Sequence, residues 1–168
     1  DLELTSQSSN FGVPGLGLKR GLSENVVIAP YATGLAAMVD PAALRGTLLI
    51  VHIANPPSFL GRTIYYSPAD GKNLNRMYPG NPVGSLSERI AYVITSEIIE
   101  RADYLVDMHA GDGNASLRPY TYWNKLGLDP KVDSMAREMA LAWGADHIII
   151  DTTRTRDRAR SIYTQNTA

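Results

Sequence analysis

The sequence predicts one α/β domain built around a layered sheet. Short apolar runs alternate with stretches of helical periodicity, and several of those runs are too short to be helices. In addition, 44% of the 168 residues are hydrophobic, enough for a substantial core.

The first thirty residues form an irregular lead-in rich in Ser and Gly, with Ser6, Ser8, Ser9, Gly12, Gly15 and Gly17 close together. The clearest strand within it is Val26 to Ala29. Between Tyr31 and Leu44, residues Leu35, Ala36, Met38 and Val39 suit one apolar helix face that ends at Asp40-Pro41 or Gly46. Thr47 to Ile53 is a continuous apolar run of strand length, expected to be buried on both faces and stopped by Asn55-Pro56-Pro57. A long polar loop follows from Ser58 to Gly84, and loops of that length within a domain are frequently functional. Ser85-Leu86-Ser87-Glu88 has the spacing of a capping box. Leu86, Ile90, Val93, Ile94 and Ile98 then repeat at helical spacing, so a helix is predicted over about Ser85 to Arg101.

Tyr104 to Met108 reads as the next strand, broken by Gly111-Asp112-Gly113-Asn114. Tyr120 and Tyr122 alternate along another apparent strand and are expected to pack in the core. Asp129-Pro130 supplies an N-cap with proline at the first helical position, ahead of the stripe Val132, Met135, Met139 and Trp143. His147 to Ile150 closes the series as a short strand.

Lysine and arginine number 16 against 17 acidic residues, so charge gives no general reason to bind nucleic acid or an anionic membrane. There is no apolar run of about 18 residues and no basic-then-apolar leader pattern, and the expectation is a soluble cytoplasmic protein. The chain has no cysteine, which removes disulfides and thiolate metal sites and leaves His, Asp and Glu as possible ligands.

Two places concentrate chemistry. The first is Asp70-Gly71-Lys72-Asn73-Leu74-Asn75-Arg76-Met77-Tyr78-Pro79-Gly80, rich in amide and guanidinium donors. An arginine fork with a neighbouring asparagine suits a carboxylate, while the alternative is a surface loop of Asx turns with a solvated arginine. The second is Asp107-Met108-His109 at a strand end, where residues two apart share a side and where ligands gather in open α/β sheets. His109 is then a candidate metal ligand oriented by Asp107, against the alternative of a structural histidine. His52 and His147 are read as structural, and the basic run Arg154, Arg156, Arg158 and Arg160 as a solvated loop or helix face, with one of these arginines lining a substrate entrance as the alternative.

Taken together, Asp40-Pro41 through Gly46, Asn55-Pro56-Pro57, the run from Asp70 to Arg76 with Pro79-Gly80, and Asp107-Met108-His109 resemble the succinylglutamate desuccinylase/aspartoacylase family, similar in fold to zinc carboxypeptidases. The resemblance runs from about Tyr31 to Ala168. It implies a three-layer α/β/α sandwich with a mixed sheet, within which the chain is a single, incomplete catalytic domain. It also implies one zinc ion, with His109 as a ligand and Asp107 behind it. Asn75 and Arg76 would hold a substrate carboxylate, and Arg62 would assist. The implied activity is hydrolysis of an amide bond in an N-acyl amino acid or similar small molecule, and the resemblance leaves room for a homo-oligomer. A zinc carboxypeptidase acting on peptides shares this chemistry and would need an open cleft.

The chain departs from the family pattern in two ways. The family's zinc-binding H-x-x-E occurs nowhere in it, because Ala29-Pro30 abuts Tyr31 where relatives carry that motif; by resemblance about twenty residues are missing there. The general-base Glu of the family is expected beyond Ala168. A metal-free carboxylate-binding protein is therefore the alternative reading.

Overall fold

The computed structural model describes residues 25–29, 40, 42–109, 116, 118–127 and 129–152. Strands β1 (Asn25–Ala29), β2 (Thr47–Ile50) and β3 (Tyr104–Asp107) form one sheet in the order β2-β1-β3. Both pairings are parallel, with Ile28 opposite Ile50 and Val106, and Ala29 opposite Asp107. Strands β4 (Thr121–Asn124) and β5 (Ile148–Asp151) pair in parallel across helix α3 (Pro130–Ala142), which makes a β-α-β unit. The α/β class is as predicted. All pairings among the described residues are parallel, so any antiparallel part of a mixed sheet lies outside them.

Several boundaries differ from the sequence reading. The helix predicted over Tyr31 to Leu44 lies largely outside the described residues. At its end Asp40 forms a turn, with Oδ1 accepting from the N–H of Ala42 at 2.9 Å. Strand β2 stops at Ile50 and is only half-buried, because β1 is its one partner among the described residues. His52, beyond the strand end, is exposed rather than in the core.

Asn55-Pro56-Pro57 opens an element where the sequence suggests a stop. Asn55 Oδ1 accepts from the N–H of Ser58 at 3.3 Å, and Pro56 begins helix α1 (Pro56–Gly61). Proline at that position has no N–H to leave unsatisfied, so it starts a helix as readily as it ends a strand. The long loop is thus shorter than predicted, and a 3₁₀ turn over Leu74–Arg76 interrupts it further.

Helix α2 (Leu86–Glu97) matches its prediction up to Ile98, where the chain tightens into a 3₁₀ turn over Ile99–Arg101. Its buried residues include Ala91, which lets the 3₁₀ turns and loops approach closely. Leu74, Tyr78, Ala91 and Ile99 form the core cluster, and Ala54, Met77, Ile90, Ile94 and Leu105 pack around it. Leu48, Ile50, Tyr104, Val106 and Met108 belong to a second apolar group. The strand β3 therefore divides by alternation. Tyr104 and Val106 face one layer, while Leu105 faces the cluster built from α2 and the 3₁₀ turns.

In α3 the Asp129 cap is as predicted, with Oδ1 accepting from the N–H of Lys131 at 2.8 Å. Val132 is exposed instead of packed, and the neighbouring Asp133 is buried. The inward turn is explained by hydrogen bonding: the Asp133 carboxylate accepts from the N–H groups of Leu126 at 2.9 Å and Gly127 at 3.0 Å. Its backbone carbonyl accepts from the Trp123 indole at 2.9 Å. Tyr122 is half exposed, so the core expectation fails there; its ring meets that of Tyr120 edge-on at 5.4 Å. His147 is exposed, and its carbonyl accepts from the N–H of Thr121 at 3.0 Å, joining β4 to the start of β5. The basic run from Arg154 to Arg160 lies outside the described residues.

Candidate functional site

The two chemical clusters lie on the same side of the first sheet. Leu105 packs against the cluster that holds Leu74, and Asp107 follows Leu105 by two residues along the strand, on the same face. Asp107 is the last residue of β3, so the site lies at the carboxyl ends of the parallel strands. Loops leaving such strand ends diverge around a crevice, which is where α/β folds place ligands.

His109 turns back on Asp107, with Nε2 3.1 Å from Oδ2. Its side chain is 60% exposed, whereas that of Asp107 is 22% exposed. A half-sunk carboxylate thus holds an exposed imidazole by one nitrogen, an arrangement that fixes the orientation of the ring. In the parallel register Ala29 lies opposite Asp107, so the end of β1 lies beside the end of β3.

Several polar residues of the donor-rich loop fasten it to helix α2. Asp70 Oδ2 accepts from the N–H of Ser87 at 2.7 Å, and Oδ1 from the Ser87 hydroxyl at 2.8 Å and the N–H of Lys72 at 3.2 Å. Lys72 Nζ reaches Glu88 Oε2 at 2.7 Å, and the same oxygen accepts from the N–H of Ser85 at 2.8 Å. Both carboxylates sit at the N-terminus of α2, where unpaired N–H groups and the helix dipole favour negative charge. Asn73 caps the 3₁₀ turn, its Oδ1 accepting from the N–H of Asn75 at 3.0 Å. Asn75 and Arg76 are carried on that turn, with Arg76 Nη1 donating to the Asn75 carbonyl at 3.2 Å. Asp70, Lys72 and Asn73 are thus engaged in holding the loop. Asn75 and Arg76, the donors singled out in the sequence, are carried on the 3₁₀ turn that follows these contacts.

Arg62 lies at the C-cap of α1, with φ 51° and ψ 40°. No hydrogen bond links its side chain to the other candidates among the described residues. The sequence reading misses the clamp, although the signal is present: an acidic residue before the N-L-N-R run and a capping-box glutamate after it.

Burial pushes the Asp70 carboxyl up, but hydrogen bonds from the Ser87 backbone and hydroxyl and from the Lys72 backbone outweigh it, and its pKa falls to about 2. The Lys72 ammonium, then Ser85, holds Glu88 down to about 2 as well. The ordinary values are 3.8 and 4.5. Because both folded values are depressed, the stabilisation is complete above about pH 5 and is lost as pH falls towards 2. Urea unfolding at pH 5 and pH 3 is expected to show a clear loss of stability, and the Asp70→Asn/Glu88→Gln double variant a shallower one. Equal acid slopes in the two proteins would refute this assignment.

Among the described residues no three His, Asp or Glu side chains come together as a metal site. His109 fits one zinc ligand, but a single imidazole is not a zinc site, so the described part of the chain does not itself fit the ion.

The catalytic-domain model of the succinylglutamate desuccinylase/aspartoacylase family matches residues 31–157. An N-alpha-acetyl-L-2,4-diaminobutyric acid deacetylase from Halomonas elongata is 35% identical over 117 residues, which is 69% of this chain and 33% of that protein. The crystal structure of a succinylglutamate desuccinylase/aspartoacylase from Rhodobacter sphaeroides aligns with a TM-score of 0.66 at 26% identity, over 77% of this chain and 43% of the other. A succinylglutamate desuccinylase from Silicibacter sp. TM1040 aligns with a TM-score of 0.75 at 22% identity, over 88% and 46%. The chain spans between a third and a half of the length of these relatives. With the family model covering most of its length, and with N-L-N-R and D-x-H gathered on one side of the sheet, the chain belongs to the succinylglutamate desuccinylase/aspartoacylase family.

Proposed function

We propose that the protein is a hydrolase that removes the acyl group from an N-acyl amino acid or a similar small amide bearing a carboxylate. The observation that carries this is the placement of the Asn75–Arg76 turn on the face of the sheet that also carries Asp107 and His109. Arg76 would grip the substrate carboxylate by its fork, with Asn75 adding a donor and Arg62 assisting from the C-cap of α1. Holding the carboxylate there sets the amide towards His109 and converts binding into orientation. Asp107 keeps the imidazole in one orientation. We propose His109 as one ligand of a single zinc ion, oriented by Asp107. When bound, zinc would activate water and polarise the scissile carbonyl. The likeness to an N-acetyl-diaminobutyrate deacetylase supports the deacylase class.

The 168 residues contain no H-x-x-E, and this favours a second reading, a metal-free protein that binds small carboxylates. Zinc content and N-acetylglycine binding, measured on purified protein of verified mass, separate the two. About one zinc per chain together with release of acetate supports the hydrolase. Absence of zinc, with binding that weakens about a hundredfold in Arg76→Gln, supports the binding protein. Absence of both overturns the carboxylate assignment.

A further inference from the structure

We infer that Asp70 and the Lys72–Glu88 pair are positioning residues that fix the substrate-gripping turn by fastening it to the N-terminus of helix α2. This deepens the proposed function and rests on the reading of Asn75 and Arg76 as carboxylate donors.

The segment before the turn is tied at both ends. The N–H of Ser67 donates to the Lys72 carbonyl at 2.9 Å, and the N–H of Gly71 to the Ser67 carbonyl at 2.8 Å, closing a compact loop. Ser67 and Ser87 are both fully buried, so this loop is pressed against the helix. Asp70 joins them with two hydrogen bonds to Ser87, and Lys72 adds an ion pair one residue along the helix at Glu88. Asn73 then starts the 3₁₀ turn directly after the clamp. An arginine that must present a planar fork to a carboxylate loses affinity when its backbone wanders, and a displacement of about 1 Å can cost on the order of a hundredfold. Two short-range anchors at positions 70 and 72 restrain the backbone that carries positions 75 and 76. Neither Asp70 nor Glu88 is in a place to contact the substrate carboxylate favourably, since both are anionic and both are occupied by helix donors.

The test uses the full chain and N-acetylglycine as probe, with dissociation constants measured by NMR titration. Asp70→Asn places an amide donor against the Ser87 donors, and is expected to weaken binding about tenfold or more. Asp146→Asn, which breaks an exposed surface pair with Arg118, is the control and leaves binding unchanged. If Asp70 acts through the turn, Asp70→Asn adds nothing to Arg76→Gln in the double variant, whereas a purely structural loss adds in full. Lys72→Met removes only the outer ion pair and serves if Asp70→Asn does not fold; about threefold weakening is expected. Asp70→Asn or Lys72→Met binding like the unaltered protein, or an undiminished effect in the Arg76→Gln background, overturns the positioning role. Failure of Arg76→Gln to weaken binding, or failure of the unaltered chain to bind the probe, overturns the carboxylate reading instead, and the clamp with it.

Discussion

Gly80→Ala is expected to cost about 3–5 kcal/mol of stability, combining backbone strain with steric overlap. Gly80 has φ +95°, a conformation that L side chains rarely adopt. Its backbone also lies directly on helix α2. A Cβ at this position would fall 2.5 Å from the Glu88 carbonyl oxygen and would overlap the backbone nitrogen of Tyr92. Neither obstacle is the flexible end of a side chain, so neither can move without distorting the helix. The adjacent N–H of Asn81 donates to that same Glu88 carbonyl at 3.0 Å, which requires the close approach. Gly71 supplies the contrast. It has φ +68°, but a Cβ there would meet nothing within 4 Å, so Gly71→Ala carries only the conformational cost, about 1 kcal/mol. Urea unfolding of both variants measures the difference. Equal losses would show that α2 does not rest on Gly80 in this way.

Much of the fold can be read in the sequence wherever a local signal and its outcome belong to the same few residues. The capping box at Ser85 to Glu88 and the Asp129-Pro130 start are such cases, and both helices begin where predicted. Asn55-Pro56-Pro57 misleads because proline ends one element by the same property that lets it begin another. The length of β2 is overestimated from sequence because an apolar run does not reveal how many neighbours its strand will have. Asp133 escapes notice because its partners, the N–H groups of Leu126 and Gly127, lie in the preceding loop and no periodicity marks them.

The candidate site divides along similar lines. Asp107 and His109 are two apart at a strand end, and this local spacing alone brings them to 3.1 Å. Asn75 and Arg76 stand out as residue types, but the structural role of Asp70 and Lys72 is not local. It depends on Ser87 and Glu88, seventeen and sixteen residues from their partners, coming back to the loop. By composition every donor between Asp70 and Arg76 counts equally. Tertiary hydrogen bonding gives Asp70 and Lys72 a structural role that composition does not reveal.

The leucine between those asparagines should then matter to binding as much as to folding. Leu74 lies within N-L-N-R and is 7% exposed, in the cluster with Tyr78, Ala91 and Ile99. Leu105 packs against the same cluster, which joins the turn to the strand that carries Asp107. Leu74→Ala is expected to cost about 2–5 kcal/mol, since the helix and strand around it can close only part of the cavity. It would also release the turn from the sheet, so the affinity of the folded fraction for N-acetylglycine should fall although Asn75 and Arg76 are intact. Leu74→Met keeps the volume and should cost less than about 1.5 kcal/mol, with binding largely preserved. Measuring stability and binding together in both variants separates the two roles. A Leu74→Ala protein that is destabilised yet binds the probe like the unaltered chain would mean that the clamp at Asp70 and Lys72 holds the turn without help from the core.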